Sequence, residues 1–375
     1  MATPESLYTS PNALAPHYSR FRVAERLLLT GHSHQAWPDR GFDGQQRAWL
    51  DAAEYVDDKW ERAFANADAV RRGFARLLDD ADGAIALGTS THELIVRFLS
   101  ALPLRRRPRL VTTDGAFHSI RRQLDRLADE GVDVVKVSAA PAAAIAERLV
   151  AATDDRTAAV LVSSVLYENA QLVPGLGTVL ATCRRVGAEL LVDAYHALNV
   201  VPCSLVAERL DGAFVVGGGY KYCQLGEGNC FLRLPAGCTL RPVITGWFSE
   251  FEALDDGPAT GRVPYGGGPA RFAGATYDPT SHYRAAAVFA FFEEHGLTPA
   301  LLRQVSQHQV GRLAALFDAL DLDPAVMSRD RAVPLTALGG FLALRAPQAT
   351  DLCRRLRDRG VVADSRGHVL RLGPA

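Results

Sequence analysis

No charge dominates this chain. Its 375 residues carry 41 Lys and Arg against 42 Asp and Glu, a formal net charge of −1, with the signs interspersed. That balance points to neither a nucleic-acid nor a membrane-surface partner. Arg71-Arg72 and Arg105-Arg106-Arg107 are short runs that read as solvated helix or loop faces. No run of about 18 uncharged apolar residues exists, so no membrane-spanning helix is expected. The first residues lack a basic stretch followed by an apolar one, so no signal peptide is expected. The six cysteines (Cys183, Cys203, Cys223, Cys230, Cys238 and Cys353) contain no Cys-x-x-Cys pair. That spacing argues against zinc or a disulfide framework and fits a reducing, cytoplasmic setting. His32 and His34 have no third ligand near them in sequence and are not read as a metal site. No internal repeat or low-complexity tract stands out.

What is present is a large apolar content, 48% of residues, in short runs that alternate with helical patterns. Apolar spacing of three and four predicts helices over 41–78, 94–102, 120–130, 140–152 and 179–186. Between them, short apolar runs predict strands over 84–87, 109–113, 132–137, 158–165, 189–192 and 213–216. This alternation of helix and strand argues for an α/β protein with a parallel sheet covered on both faces. The Gly- and Pro-rich residues 255–268 read as a loop. Long helices over 281–295 and 299–320 follow, then a strand near 340–344, a helix over 349–359 and strands near 361–362 and 368–372. The expected organisation is an N-terminal arm (1–40), a large domain (41–275) and a small C-terminal α+β domain (276–375).

Two of the predicted strands end in chemistry. One runs Leu190-Leu191-Val192 into Asp193, and the other runs Ala213–Val216 into Gly217-Gly218-Gly219-Tyr220-Lys221. Ligand sites in open α/β sheets lie at such strand ends. Pyridoxal phosphate (PLP) needs this pair: a lysine that bonds to its aldehyde and an acid that keeps its pyridine nitrogen protonated. An Asp at a strand end is also a common turn residue, and a lysine after glycines is commonly solvated. The three glycines argue for close approach of backbone or ligand before Lys221.

Other candidates cluster at similar boundaries. Gly88-Thr89-Ser90-Thr91 joins a strand to a helix, where N–H groups and hydroxyls favour a phosphate. The competing reading is N-capping by Ser90 or Thr91, with Glu93 closing a capping box. Phe117 follows the strand over 109–113 and could stack on a pyridine ring, or serve the core. Trp247, in a loop, offers an indole N–H to phosphate or a surface to a partner. Tyr220, beside the lysine, is a candidate proton carrier. Arg371, on a late strand, could fork onto a substrate carboxylate, or lie at the surface.

Together these residues resemble the class V aminotransferase branch of the PLP fold-type I enzymes, and most closely kynureninase. The resemblance spans nearly the whole chain. It rests on Asp193-x-x-His196, Tyr220-Lys221-Tyr222, Gly246-Trp247-Phe248, the segment Arg271-Phe272 through Thr276, and Ser163–Tyr167. Phe117 stands where kynureninases carry Phe and cysteine desulfurases carry His. The resemblance implies a large, mainly parallel seven-stranded sheet domain with a small C-terminal domain, and a homodimer with shared active sites. It implies that Lys221 bonds to PLP and shuttles the Cα proton of an L-amino acid, helped by Tyr220. Asp193 would pair with the pyridinium nitrogen and Phe117 would stack on the ring. Thr89, Ser90, His196, Trp247 and Thr276 would serve the phosphate, Thr276 from the second subunit. Ser33 and Arg371 would bind substrate, Arg371 by its α-carboxylate.

The chain departs from the family pattern in three places. Gly31-His32-Ser33-His34-Gln35 replaces Gly-Asn-Ser-Leu-Gly, keeping only Ser33 of the pocket residues. His92-Glu93 replaces neutral residues after the phosphate loop. Only four residues follow Arg371, where the family continues into a further strand and helix, so either the small domain or the sequence itself is expected to be shortened. The expected reaction is hydrolytic Cβ–Cγ cleavage that releases alanine. The alternatives are β-elimination with C–S cleavage, transamination and, last, a non-catalytic binder. A desulfurase would need a mobile nucleophilic cysteine, and none of the six occupies an evident mobile loop.

Overall fold

The computed structural model describes residues 2–256, 261 and 263–374. Seven strands form the main sheet: β1 (Ala84–Gly88), β2 (Arg109–Thr113), β3 (Asp133–Val137), β4 (Thr157–Ser163), β5 (Glu189–Asp193), β6 (Phe214–Gly218) and β7 (Cys230–Leu234). Their spatial order is β1-β7-β6-β5-β4-β2-β3. Strands β2 to β6 pair in parallel, and β7 runs antiparallel to both β6 and β1. Helices α1 (Asp39–Tyr55), α2 (Lys59–Leu77), α3 (Thr91–Ala101), α4 (His118–Asp129), α5 (Ile145–Ala152) and α6 (Leu176–Val186) surround this sheet or connect it.

The two-residue period of the strands sorts their apolar side chains into two cores. Val111, Val160, Val162, Val192 and Val215 face the layer built by α2, α5 and α6. Leu110, Leu161, Leu191, Phe214 and Val216 face α3 and α4. Both faces being covered explains why these strands read as continuous apolar runs. Burying one such Val, Leu or Phe side chain contributes about 1.5–3 kcal/mol.

The fold departs from the sequence expectation in three elements. Residues 39–77 form two helices rather than one, because Val56 takes a positive φ of 49° and turns the chain. Residues 142–144 form a 3-10 turn that leads into α5. Strand β7 is absent from the apolar reading because Arg233 interrupts it. That arginine is nevertheless buried, donating to Asp80 Oδ2 (2.6 Å) and to the carbonyls of Asp211 (2.6 Å) and Ala213 (3.1 Å). Of the expected loop 255–268, residues 257–260 and 262 lie outside the described residues; Trp247–Asp256 and Gly268–Phe272 are 3-10 helices.

Helix α7 (Thr280–His295) packs across α1 and α2. The approach is close enough that a Cβ at Gly44 would lie 2.6 Å from the Tyr283 carbonyl oxygen. Beyond α8 (Pro299–Asp318), a second sheet of three antiparallel strands forms from β8 (Leu342–Arg345), β9 (Asp364–Arg366) and β10 (Val369–Leu372), in the order β9-β10-β8. It shares a separate apolar core with α8 and α9 (Ala349–Arg357). The N-terminal segment is stitched to this region: Leu27–Leu28 pairs with Val361–Val362, and Thr30 bridges to Gly373. That pairing carries His32 to the side of β9.

Candidate active site

The carboxyl ends of the parallel strands converge on one cavity of about 300 Å³. Asp193 ends β5, Lys221 follows β6, Phe117 follows β2 and Thr89 follows β1. Thr89, Ser90, Phe117, Asp193, His196, Tyr220 and Lys221 all line it. So do Tyr195, Ser119 and Cys230, which the sequence reading did not single out. Tyr195 carried a faint signal, an aromatic two residues past a strand-end acid. Cys230 carried none, because its strand was missed.

Lys221 is buried, with its Nζ 2.6 Å from His196 Nε2. Three rings surround the same nitrogen: Tyr195 at 4.8 Å, Phe117 at 5.2 Å and Tyr220 at 5.7 Å. Burial pushes the lysine down to about 7, against the opposing charge of Asp193 and with the help of Arg371. Such a lysine is substantially uncharged at neutral pH, which makes it a nucleophile. Burial pushes Asp193 the other way, upward, opposed by the Tyr195 N–H, by Lys221 and by Ser163. Its Oδ1 accepts from Tyr195 N at 3.0 Å. Burial and the neighbouring Lys221 hold His196 well below its ordinary value, so its ring is neutral. Tyr220, stacked on His34 at 5.0 Å, is pushed up to about 12 by burial and stays protonated.

The glycines before Lys221 make room for the protein's own side chains. A Cβ at Gly218 would lie 2.6 Å from both Cys230 Sγ and Tyr195 Oη. Without that space Tyr195 could not sit under the lysine.

At the start of α3, Ser90 caps the helix by accepting from Glu93 N at 3.2 Å. The Glu93 carboxylate does not close a capping box; it reaches back to Thr89, accepting from its N–H at 3.1 Å and its hydroxyl at 2.9 Å. Arg97 pairs with the same carboxylate.

Arg371 is buried on β10, and its guanidinium is already engaged. Its Nε donates to Asp364 Oδ1 at 2.9 Å, its Nη2 to Asp364 Oδ2, and its Nη1 to the Tyr167 carbonyl at 2.7 Å. His32 Nε2 lies 2.7 Å from Asp364 Oδ1. Burial pushes the Asp364 carboxyl up, but hydrogen bonds from His32 and Arg371 more than offset this and hold it well below the usual carboxylate range. Burial pushes His32 down to about 4, so it is neutral at pH 7, and Asp364 is balanced by Arg371 and, at 3.7 Å, by Arg366. Ser33 is half-buried one residue on, with its hydroxyl 3.2 Å from His34 Nδ1.

Four residues named in sequence do not line this cavity within the chain: Ser33, Arg371, Trp247 and Thr276. Trp247 is 43% exposed and packs on Phe248 and Phe251, and Thr276 is exposed. Their neighbours Phe248, Ala275 and Tyr277 line a second cavity of about 490 Å³, which meets the first at Thr89. No lysine lines that second cavity.

Comparison with known proteins follows the same geometry. A cysteine desulfurase of Thermococcus onnurineus superposes with a TM-score of 0.80 over 100% of this chain and 94% of its own, at 15% identity. A cystine C–S lyase superposes with a TM-score of 0.76 over 94% of each chain, at 16% identity. The fold is that of the PLP-dependent type I enzymes. Among curated sequences, kynureninase of Burkholderia pseudomallei is 27% identical over 96% of this chain and 87% of its own length. An uncharacterized aminotransferase of Bacillus subtilis is 23% identical over 87% of this chain and 83% of its own. No protein-family profile matches the chain.

The residues present fit PLP. The cavity reaches the lower end of small-molecule sites in size. It combines an amine brought down to about 7 by burial, a strand-end acid, aromatic faces and two helix N-termini lined with hydroxyls.

Proposed function

We infer that this protein is a PLP-dependent enzyme acting on an L-amino acid, and that its reaction is a kynureninase-like hydrolytic Cβ–Cγ cleavage releasing alanine. The observation that carries the cofactor reading is the meeting of Lys221, depressed to about 7, with Asp193 and Phe117 around one cavity. Bound there, the cofactor supplies an electron sink for charge developing at Cα. Asp193 holds the pyridine nitrogen and Phe117 covers the ring. Thr89, Ser90 and His196 serve the phosphate side. Lys221 holds the aldehyde and moves the Cα proton through its Nζ. Tyr220, protonated at neutral pH, gives a proton in the later steps. Ser33 and Arg371 receive the amino acid.

Two features support the hydrolytic reading: a phenylalanine, Phe117, beside Lys221 where the resemblance implies a ring-stacking residue, and the 27% identity to kynureninase over 96% of the chain. Desulfurase chemistry is disfavoured by Cys230, the cysteine lining the cavity. It is fixed in β7 and its thiol is pushed up to about 12 by burial, so it is neither mobile nor a thiolate. A second reading, C–S cleavage by β-elimination, draws support from the likeness to the cystine C–S lyase.

The protein is further proposed to be a cytoplasmic homodimer. Val243, Ile244, Trp247 and Phe251 are exposed apolar side chains around the segment that fails to reach its own cavity. In a dimer Trp247 and Thr276 would serve the neighbouring phosphate site. Light scattering of the eluted protein checks the mass.

PLP added to the wild-type protein should give a visible absorption band that borohydride bleaches. Lys221→Ala should lack the band and lose about 10²–10⁴-fold in rate. No band in the wild type would refute the cofactor reading. Incubation with L-kynurenine should yield anthranilate and alanine. Pyruvate and a thiol from cysteine conjugates, with no anthranilate, would favour β-elimination instead.

A further inference from the structure

The Arg371 corner contains more than an anchor. A guanidinium has five N–H donors. Three are engaged here, two by Asp364 and one by the Tyr167 carbonyl. One N–H remains on each terminal nitrogen, available to a carboxylate. The contacts that fix the ring plane come from three separate parts of the chain. His32 comes from the N-terminal segment, Asp364 from β9 and Tyr167 from the loop after β4. The His32 ring is fully buried against Phe341, with a centroid separation of 4.6 Å, and has no room to turn. A Cβ at Gly373 would lie 2.1 Å from its Nδ1. Its Nδ1 has no hydrogen-bond partner, so Nε2 carries the proton and donates to Asp364.

We propose that Asp364 and His32 are positioning residues for substrate recognition: they grip one edge of Arg371 so that its remaining N–H pair is presented to an α-carboxylate. This rests on the reading of the site as an amino-acid site. The ligand class is an amino acid with a free α-carboxylate; amines without one gain nothing from this corner. Asp364 is a fixed partner of Arg371 and does not leave when the ligand arrives.

The test titrates PLP-loaded protein with a slowly reacting amino acid, reading the dissociation constant from the spectral change. Wild type, Asp364→Asn, His32→Ala and His32→Gln are compared. An asparagine offers one acceptor oxygen where the carboxylate offers two, so it cannot hold Nε and Nη2 of Arg371 side by side. Asp364→Asn should weaken amino-acid binding about tenfold to a hundredfold, with the PLP band intact, since misplacement of about 1 Å carries such a cost. His32→Ala should weaken binding several-fold, and His32→Gln, which restores an N–H donor, should recover most of the loss. A parallel titration with the matching amine lacking the carboxylate should be the same in all four proteins. Tighter amino-acid binding in Asp364→Asn would overturn the proposal, because Asp364 would then be a competitor for the anchor. Unchanged binding in Asp364→Asn would overturn it too. If Asp364→Asn does not fold, equal binding by His32→Ala and His32→Gln does the same. Absence of the PLP band in the wild type defeats the cofactor reading instead, before any variant is compared.

Discussion

Two corners beside the cavity, each proposed to receive an anion, hold a carboxylate that the chain itself supplies. At the start of α3, Glu93 accepts from the N–H and hydroxyl of Thr89. At β10, Asp364 takes two donors of Arg371. The corners differ in how firmly the carboxylate is held. Glu93 is about one-third exposed, at 35%, on the first turn of a helix. Asp364 is at 17%, between a fully buried histidine and an arginine at 3%. An exposed contact to a helix N-terminus is worth about 0.3–1 kcal/mol, whereas removing one partner of a buried pair costs about 3–5 kcal/mol. On the proposed roles, an incoming phosphate would replace the Glu93 contact to Thr89 at low cost, while a substrate carboxylate would share Arg371 with Asp364.

The sharpest way to break this contrast is Arg371→Gln. It removes the main partner of the Asp364 carboxylate, leaving only the His32 N–H and Arg366 at 3.7 Å, so unfolding in denaturant should show a loss of about 3 kcal/mol. A loss under about 1 kcal/mol would place both corners in the same class. The next effect is acid sensitivity. His32 and His282 are both buried and pushed down to about 4. A histidine depressed on folding contributes stability that is full above its unfolded value near 6.5 and is lost as pH falls toward the folded value. Each should cost on the order of 2 kcal/mol between pH 7 and pH 5. Thermal melts across that range should fall, and His32→Gln should flatten about half of the fall. Asp364, held low, adds its own loss at lower pH, beginning in the ordinary carboxylate range near about 4 and continuing below it. The smallest effect is at the phosphate loop. Glu93→Gln removes a negative charge beside Thr89 and should tighten PLP binding about twofold to fivefold, read by titration of the visible band. Weaker binding would mean that Glu93 orders the loop rather than competing for it.

Much of the scaffold was legible in sequence, and the reason lies in its strands. Those buried on both faces are uninterrupted apolar runs, and each stops where the chain must change environment. Asp193 and Lys221 were visible because they stand at those stops. Strand β7 was hidden by Arg233, whose charge is neutralised by Asp80 and two carbonyls distant in sequence. The break at Val56 was hidden because a valine carries no signal for a positive φ. Glu93 was legible as a capping candidate, yet its carboxylate went to Thr89.

The sequence by itself determined the alternation of elements, the two-sided burial of the sheet and the strand-end placement of an acid and a lysine. Local period and local composition suffice for these. Only the tertiary structure decided that His32, Asp364 and Tyr167 meet around Arg371, and that Tyr195 and Phe117 flank Lys221. Hydrogen bonds between residues hundreds of positions apart leave no periodicity to read. Burial, which moves Lys221 and His32 toward their uncharged forms, is a property of the folded chain alone.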